Sequence, residues 1–539
     1  MGMRNRTRHA AVIMIGLLGL GIGAASPARA AVGSTITLQQ LDAAADPAPP
    51  AASKLFTNAE IYAFLAEAKR AEAIADPLQR CLAYPSPPGS HWSPELIAAY
   101  CRYRDAPIVS KDVLRSLIEH DKAPELDQRF NQLLNGTPTE QALLDRTYDE
   151  LFDGSLETRQ LIDAWTRQAP KSAFAWAASA ESYKKAAHEA RGMQTFENTP
   201  AGNIEDMERL LQLADADARK AIALNKRISP PYVTMIYIGA LGAGNDYALA
   251  AARQGLSQTP DNYGIYNMLT WKFQPRWGGS LGAAATIAAE AQTHMKSNPL
   301  LGLLQAKAKV YQVNLNNCNC HTPEQLVQYR SVFDQVATTK VLAEAGMAAE
   351  SSNQPGIAVV YLSEALRFQP ELENERMHRA MLLNNFDESA WAVQEANALL
   401  KSKPNDVVRL RLRATSYESL NDYPHAEADA RAILAQDPSD AHALLTLSSI
   451  YIDDTQQWDK AWEVVNDLIK YYRDEPQVWV LRARIQRGQP RAGLKDTVDY
   501  YAAHFGNDPA QQKTITWLRA ELALQQGEAR AAAKAKAPH

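Results

Sequence analysis

Cys318, Cys320 and His321 fall within four consecutive residues, and two further cysteines, Cys81 and Cys101, flank a proline-rich stretch. Thiolates and an imidazole at that density could ligate a soft metal such as copper or zinc, carry thiol–disulfide exchange, or simply pin a loop. Three adjacent ligands do not close a tetrahedral site, and no second Cys-x-x-Cys or His-x3-His follows nearby. Metal is therefore the lesser reading, with Cys318, Cys320 and His321 as its candidate set. A local or cross-paired disulfide holding the loop is preferred, although a ring closed by cysteines one residue apart is strained and easily reduced. Cys81 and Cys101 read as a bridge across Leu-Ala-Tyr-Pro-Ser-Pro-Pro-Gly-Ser-His-Trp-Ser, which would contribute roughly 3 kcal/mol through loop closure.

Other reactive patterns are thinner. Trp277-Gly278-Gly279-Ser280 could cradle a ligand, but no phosphate-loop lysine follows. The simpler reading is a helix end with positive-φ glycines, an indole packed beneath the turn, and a serine capping the next helix. His188 opens His-Glu-Ala-Arg without the second histidine of a zinc-binding helix, and no Gly-x-Ser-x-Gly elbow is present. A glycan-cleaving enzyme would need one buried, proton-donating glutamate. Glu181 is the candidate to test. No catalytic residue is assigned, no cofactor is expected, and the chain is read as a non-enzyme.

The elements that would position these groups are helical. Helix formers dominate and strand-like alternation of Val, Ile and Thr is rare. Residues 1–30 carry arginines, then an apolar run from Ala10 to Leu20, then Ala28-Arg29-Ala30, the plan of a cleavable secretory signal peptide. Removing them takes away four arginines and no acid, so the formal charge goes from −5 to −9. An acidic chain argues against nucleic acid, and no later stretch is long and apolar enough for a membrane span. The expected location is periplasmic or secreted.

Pro370, Pro404 and Pro438 recur every 34 residues, with small residues at fixed places between them: Gly346, Ala380 and Ala414 at position 8, Ala358, Ala392 and Ala426 at position 20. Small side chains let two helices cross closely, and a proline just past the second helix stops it without losing an interior hydrogen bond. This pattern resembles the tetratricopeptide repeat. The resemblance implies an all-α, helical-hairpin solenoid forming a right-handed α-superhelix. The N-terminal half also resembles a bacterial family of secreted or periplasmic proteins with a domain of unknown function. The likeness lies in Leu161–Gly192 and in Tyr266–Ala285, where Pro275-Arg276-Trp277-Gly278-Gly279-Ser280 is the most distinctive stretch, and it implies a tetratricopeptide-like fold with no assigned activity. The expected organisation is a signal peptide (1–30), an N-terminal extension with a disulfide (31–110), an irregular tetratricopeptide-like domain (111–315), a cysteine-containing connector (316–338), regular repeats (339–477), and a degenerate repeat with capping helix and tail (478–539).

Stacked repeats of this kind line a concave face with positions 2, 5, 9 and 12 of each first helix. Here those positions supply Met377, Met381, Asn384, Arg411, Thr415, Glu418, His442, Leu445 and Ile452. Flexible apolar and hydrogen-bonding groups together suit an extended or helical peptide. Family members that grip a peptide carboxylate use Lys at position 5 and Asn at position 9, and Ala343, Met347, Met377, Met381, Arg411 and Thr415 stand there instead. The expected function is an exported protein-interaction scaffold with a protein or peptide partner. The alternatives are an enzyme acting on envelope polymer such as peptidoglycan, sited in the N-terminal half, and a redox or metal-handling module at Cys318, Cys320 and His321.

Overall fold

The computed structural model describes residues 34, 36–194, 196–313, 326–489 and 491–536. The leader-like residues 1–30 and the Cys318, Cys320 and His321 cluster lie outside them. Among the described residues there are helices and turns and no strand. The fold is an all-α solenoid of tetratricopeptide-like helical hairpins.

The local rules that start and stop these helices are visible residue by residue. Thr57 and Thr137 each close a capping box with the glutamate three residues on, Glu60 and Glu140, so two otherwise orphaned backbone donors are satisfied at each end. Asp406 and Asp440 cap the first helices of two successive hairpins, accepting from the amides of Arg409 and Ala443. The hairpins are Thr339–Ser351 with Pro355–Phe368, Glu373–Leu383 with Ser389–Ser402, and Val407–Ser419 with Tyr423–Leu434.

Each hairpin turns on one left-handed residue. Asn353, Asp387 and Asn421 all have φ between 55° and 60° and recur every 34 residues. Asn and Asp tolerate that region because their short polar side chains bond locally. The next left-handed residue is Gln456, 35 residues after Asn421. The extra residue is absorbed as a π turn, Ile450–Asp454, that continues the helix Ala441–Ser449. A wider turn of this kind advances the helical register by one residue, and its effect on the groove is described below.

The small residues at positions 8 and 20 sit where the helices cross. Ala380, Ala414, Ala358, Ala392 and Ala426 are all 0–1% exposed, and a Cβ on Gly346 would lie 2.7 Å from Leu362 Cγ.

Upstream, the irregular half uses a longer hairpin. The helices Ala173–Arg191 and Ala201–Leu224 are longer than those of the regular hairpins, with the 3-10 turn Phe196–Asn198 between them. At 1.5 Å per residue the first is about 28 Å long, so its C-terminal end carries His188 and Arg191 beyond the repeat stack.

The N-terminal segment is built into the regular array. Helices Asn58–Glu72, Pro77–Ala83 and Pro94–Asp105 pack on Pro355–Phe368. Cys81 and Cys101 are disulfide-bonded with Cα atoms 5.9 Å apart, and both are buried. Across the junction, Arg367 Nε donates to the Cys81 carbonyl (2.8 Å), and Trp92 Nε1 donates to the Phe333 carbonyl (2.8 Å). Arg379 is fully buried and pairs with Glu72 (2.8 Å) and Glu395 (2.6 Å), while Glu72 also pairs with Arg80 (3.2 Å). Burial pushes the Glu72 carboxyl up, and Arg379 with Arg80 more than offsets this, so it rests below the ordinary carboxylate range.

Two stability outcomes follow. Ala414→Leu should cost about 1–3 kcal/mol by overpacking the helix crossing, with the same change at the exposed Ala432 close to neutral; equal denaturation midpoints for the two variants would refute the crossing argument. Arg379→Met takes one of two cationic partners from each of Glu72 and Glu395, leaving them Arg80 and Arg376, and a loss of about 1–3 kcal/mol is expected, together with faster proteolytic cutting of the segment between Tyr84 and Trp92. Unchanged stability and cutting would mean that the network does not hold the N-terminal segment.

Candidate functional site

The aligned first helices of successive hairpins lie side by side and carry most of the residues picked out for the groove. Met377 and Met381 are half-buried against the main core. Asn384 Nδ2 donates to Ser416 Oγ (3.1 Å), which ties neighbouring hairpins together. Arg411 pairs with Asp440, the capping residue of the next first helix, so its charge is committed within the stack. Thr415 and Glu418 are half-buried. Burial raises the Glu418 carboxyl, assisted by Asp454 and opposed by the Ser449 hydroxyl. His442 is exposed, and Leu445 leaves 42% of its surface open.

Ile452 does not belong to this face. It is 4% exposed and packs in the core of the fourth hairpin. Counting position 12 assumes an unbroken α-helix, and the π turn rotates Ile452 inward.

The two functional groups weighed in the N-terminal half also find partners. Glu181 is buried and pairs with Lys184 at 2.5 Å, while Thr234 Oγ1 donates to its other oxygen (3.2 Å). His188 Nδ1 lies 2.7 Å from Tyr237 Oη. Burial first, then Arg191, Lys185 and Lys184, hold this imidazole below its ordinary range. Among the described residues no group of three or more His, Cys, Asp or Glu side chains is arranged to hold a metal, and no helix is long and apolar enough to cross a membrane.

A feature the sequence reading missed is a cavity of about 870 Å³ where the two halves meet. The helix Pro94–Asp105, the end of the long hairpin, the turn Pro275–Trp277, the helix Leu303–Gln312 and the start of Thr339–Ser351 all contribute to its wall. Its neighbour, a cavity of about 400 Å³, shares Arg191, Met193, Arg276 and Trp277 with it. Trp271 stacks on Tyr237 at 5.5 Å and 7°, and Trp277 leans on Trp271 at 4.8 Å.

The Trp-Gly-Gly-Ser turn has the serine cap that the simpler reading expected, but only Gly278 of its two glycines has a positive φ. Gly278 is left-handed at φ 79°, and Ser280 caps the helix Leu281–Gln292. Gly279 is demanded by space, since a Cβ there would meet the Phe273 carbonyl oxygen at 1.9 Å. The buried Lys272 then clamps the turn, donating to the Trp277 carbonyl (2.7 Å) and to Asn245 Oδ1 (2.6 Å). The distinctive Pro-Arg-Trp-Gly-Gly-Ser stretch could have pointed to this place, but nothing in the sequence shows what faces it.

Lys307, on the cavity wall, donates to the Asn267 carbonyl (2.8 Å) and Oδ1 (2.6 Å). Burial, aided by Lys340, pushes its ammonium down to about 7.

Residues 419–485 match the tetratricopeptide repeat family. A TPR repeat-containing protein of Pseudomonas aeruginosa is 29% identical over 192 residues, covering 32% of this chain and 30% of its own length. The chain thus spans less than a third of that curated relative. Among solved structures, YrrB, a TPR protein with an unusual peptide-binding site, is 14% identical, covers 42% of this chain and 96% of its own, and has a TM-score of 0.23. Yeast Tom70 is 12% identical, covers 77% and 95%, and has a TM-score of 0.30.

The Lys307 shift has a defined sign. Between about pH 7 and the ordinary lysine value near 10.4, the unfolded chain binds a proton the folded chain lacks, so this group's contribution to stability improves as pH rises through that window. Reductive 13C-methylation should show one dimethyl-lysine signal titrating near 7 and missing from Lys307→Met. Titration of every lysine above pH 10 would count against the assignment.

Proposed function

We propose that the chain is an interaction scaffold that takes a protein or peptide partner along the first-helix face of its regular repeats. The observation that carries this reading is Leu445, an apolar side chain left open on the same face as the half-buried Met377 and Met381. Methionines adapt to varied apolar side chains, and rows of first helices in repeat stacks commonly form a binding face for an extended or helical peptide. Asn384, Thr415, Glu418 and His442 supply hydrogen-bonding groups around them. Arg411 acts through the stack by holding Asp440, and Ile452 has no part in the contact.

The proposed setting is the periplasm or the cell exterior. The Cys81–Cys101 bridge supports it, since such bonds persist in oxidising compartments, as does the charged, apolar and small-residue order of the first 30 residues.

The test is in-cell cross-linking of the tagged protein, comparing wild type with Met381→Glu/Leu445→Glu. Both side chains are partly open, so the variant should keep its helical circular dichroism and melting temperature. Capture of a specific partner should fall by about tenfold or more, as for loss of a central apolar anchor. Equal capture by the folded variant would sink the groove as the binding surface.

A further inference from the structure

We propose that the cavity between the two halves is a binding site for a small carboxylate-bearing ring compound. This site is separate from the repeat groove and stands or falls independently of it.

The volume comes first. About 870 Å³ is the size of pocket that encloses a drug-sized molecule and is too small for a folded partner. An adjoining 400 Å³ extends it past Arg276 and Trp277.

The charge is opposite to that of the chain. The protein carries a net −5, yet Arg104, Arg191, Arg276 and Lys340 line the cavity, beside Lys307, against two carboxylates; Arg104 lies within ion-pair reach of Glu150 and Glu371, and Lys340 of Glu344. The two lining carboxylates are already compromised as counter-ions. Asp149 is paired with Lys185 at 2.5 Å, and burial pushes the Glu344 carboxyl upward, toward the neutral form, with Lys340 opposing it. Arg191 and Arg276 make no ion pair among the described residues, although arginines elsewhere in the fold, such as Arg379, Arg409 and Arg413, have carboxylate partners. A half-enclosed site with uncompensated cations attracts an anion, and a guanidinium fork matches a carboxylate in two parallel hydrogen bonds.

The wall supplies a second kind of recognition. Trp271 and Trp277, packed on one another, line the same space as the cations. Aromatic faces hold flat or ring-shaped apolar bodies. These cations and Lys307 come from five different elements, and no glycine-rich nest or phosphate-loop lysine is among them, so the arrangement favours a carboxylate over a phosphate.

The site is also built at a structural cost. Gly279 exists to let the turn press against the Phe273 carbonyl, and the buried Lys272 holds no carboxylate but clamps that turn. Burial alone lowers the Lys272 ammonium. These two uncomfortable choices hold the backbone of the turn that carries Arg276 and Trp277, residues shared by the two cavities. The lengthened hairpin sets Arg191 on the same partition.

A sugar acid and an aromatic acid share this chemistry, and the experiment separates them. Titration calorimetry and ligand-observed NMR on the full chain would use trigalacturonate against neutral maltotriose, and 2-naphthoate against 2-naphthylmethanol. At least one acid should bind, with its neutral counterpart at least about tenfold weaker, in keeping with the worth of charge-assisted hydrogen bonds. Arg191→Gln/Arg276→Gln should weaken the acid by a similar factor at unchanged melting temperature, since neither arginine has an ion-pair partner to lose. Trp277→Ala should weaken it while leaving its salt dependence in place. Whichever acid binds names the source of the ring. No binding of either acid at millimolar concentration, equal binding of the neutral counterpart, or wild-type affinity in the folded double arginine variant would each overturn the proposal. Loss of partner capture in the groove variant has no bearing on these outcomes.

Discussion

A single buried arginine ties the N-terminal segment of this chain to its regular repeats. Arg379 has no contact with solvent and reaches Glu72, more than three hundred residues earlier, together with Glu395 on its own hairpin. Such a charge is tolerable only when both carboxylates are present, because desolvation of an unpaired ion costs several kcal/mol. The Asn58–Glu72 helix is therefore obliged to sit where Glu72 can reach. With it come Arg80, Tyr84 and the disulfide that joins Pro77–Ala83 to Pro94–Asp105. Apolar packing by Phe64, Trp92 and Tyr100 supplies the bulk of the contact, while the ionic network sets its register.

That docking has a consequence for the irregular half. By fixing Pro94–Asp105 against the first regular hairpin, it brings Tyr100 Oη within 3.0 Å of Thr339 Oγ1 and places Tyr103 and Arg104 beside Lys307 and Lys340. The cavity is the space left where these helices, the long hairpin and the Pro275–Trp277 turn cannot pack on one another. Repeat stacks expose a face along their length, but an enclosed volume requires a second body of structure to close it. Here the closing body is the N-terminal half of the same chain.

The regular repeats obey a simpler constraint. Each hairpin must reverse within a few residues, and the left-handed Asn or Asp at 34-residue intervals does this in three successive units. One added residue before Gln456 would have broken the spacing. The chain keeps the hairpin closed by widening one turn, and the cost falls on the register of the face: Ile452 turns inward while His442 and Leu445, which precede the widened turn, keep their places. This is a case where one residue of length redistributes a surface without disturbing the core, since Tyr451 and Ile450 remain buried on either count.

The helical class, the repeat period and the crossing positions were all legible in the sequence, because they rest on local preferences and on a spacing that every unit repeats. Gly346 and the five alanines announce close crossings whatever their partners are, and the Trp-Gly-Gly-Ser turn follows from positive φ and serine capping within six residues. What only the tertiary structure decided depends on contacts between residues far apart in the chain. The pairing of Arg379 with Glu72, the ion pair that occupies Glu181, and the gathering of Arg104, Arg191, Arg276, Lys307 and Lys340 around one space leave no periodic trace. The π turn is intermediate: its extra residue can be counted, but whether that residue becomes a loop or a wider helical turn is settled by the neighbours it must pack against. Burial and charge compensation are properties of an assembled surface, and a linear pattern encodes them only where the surface itself repeats.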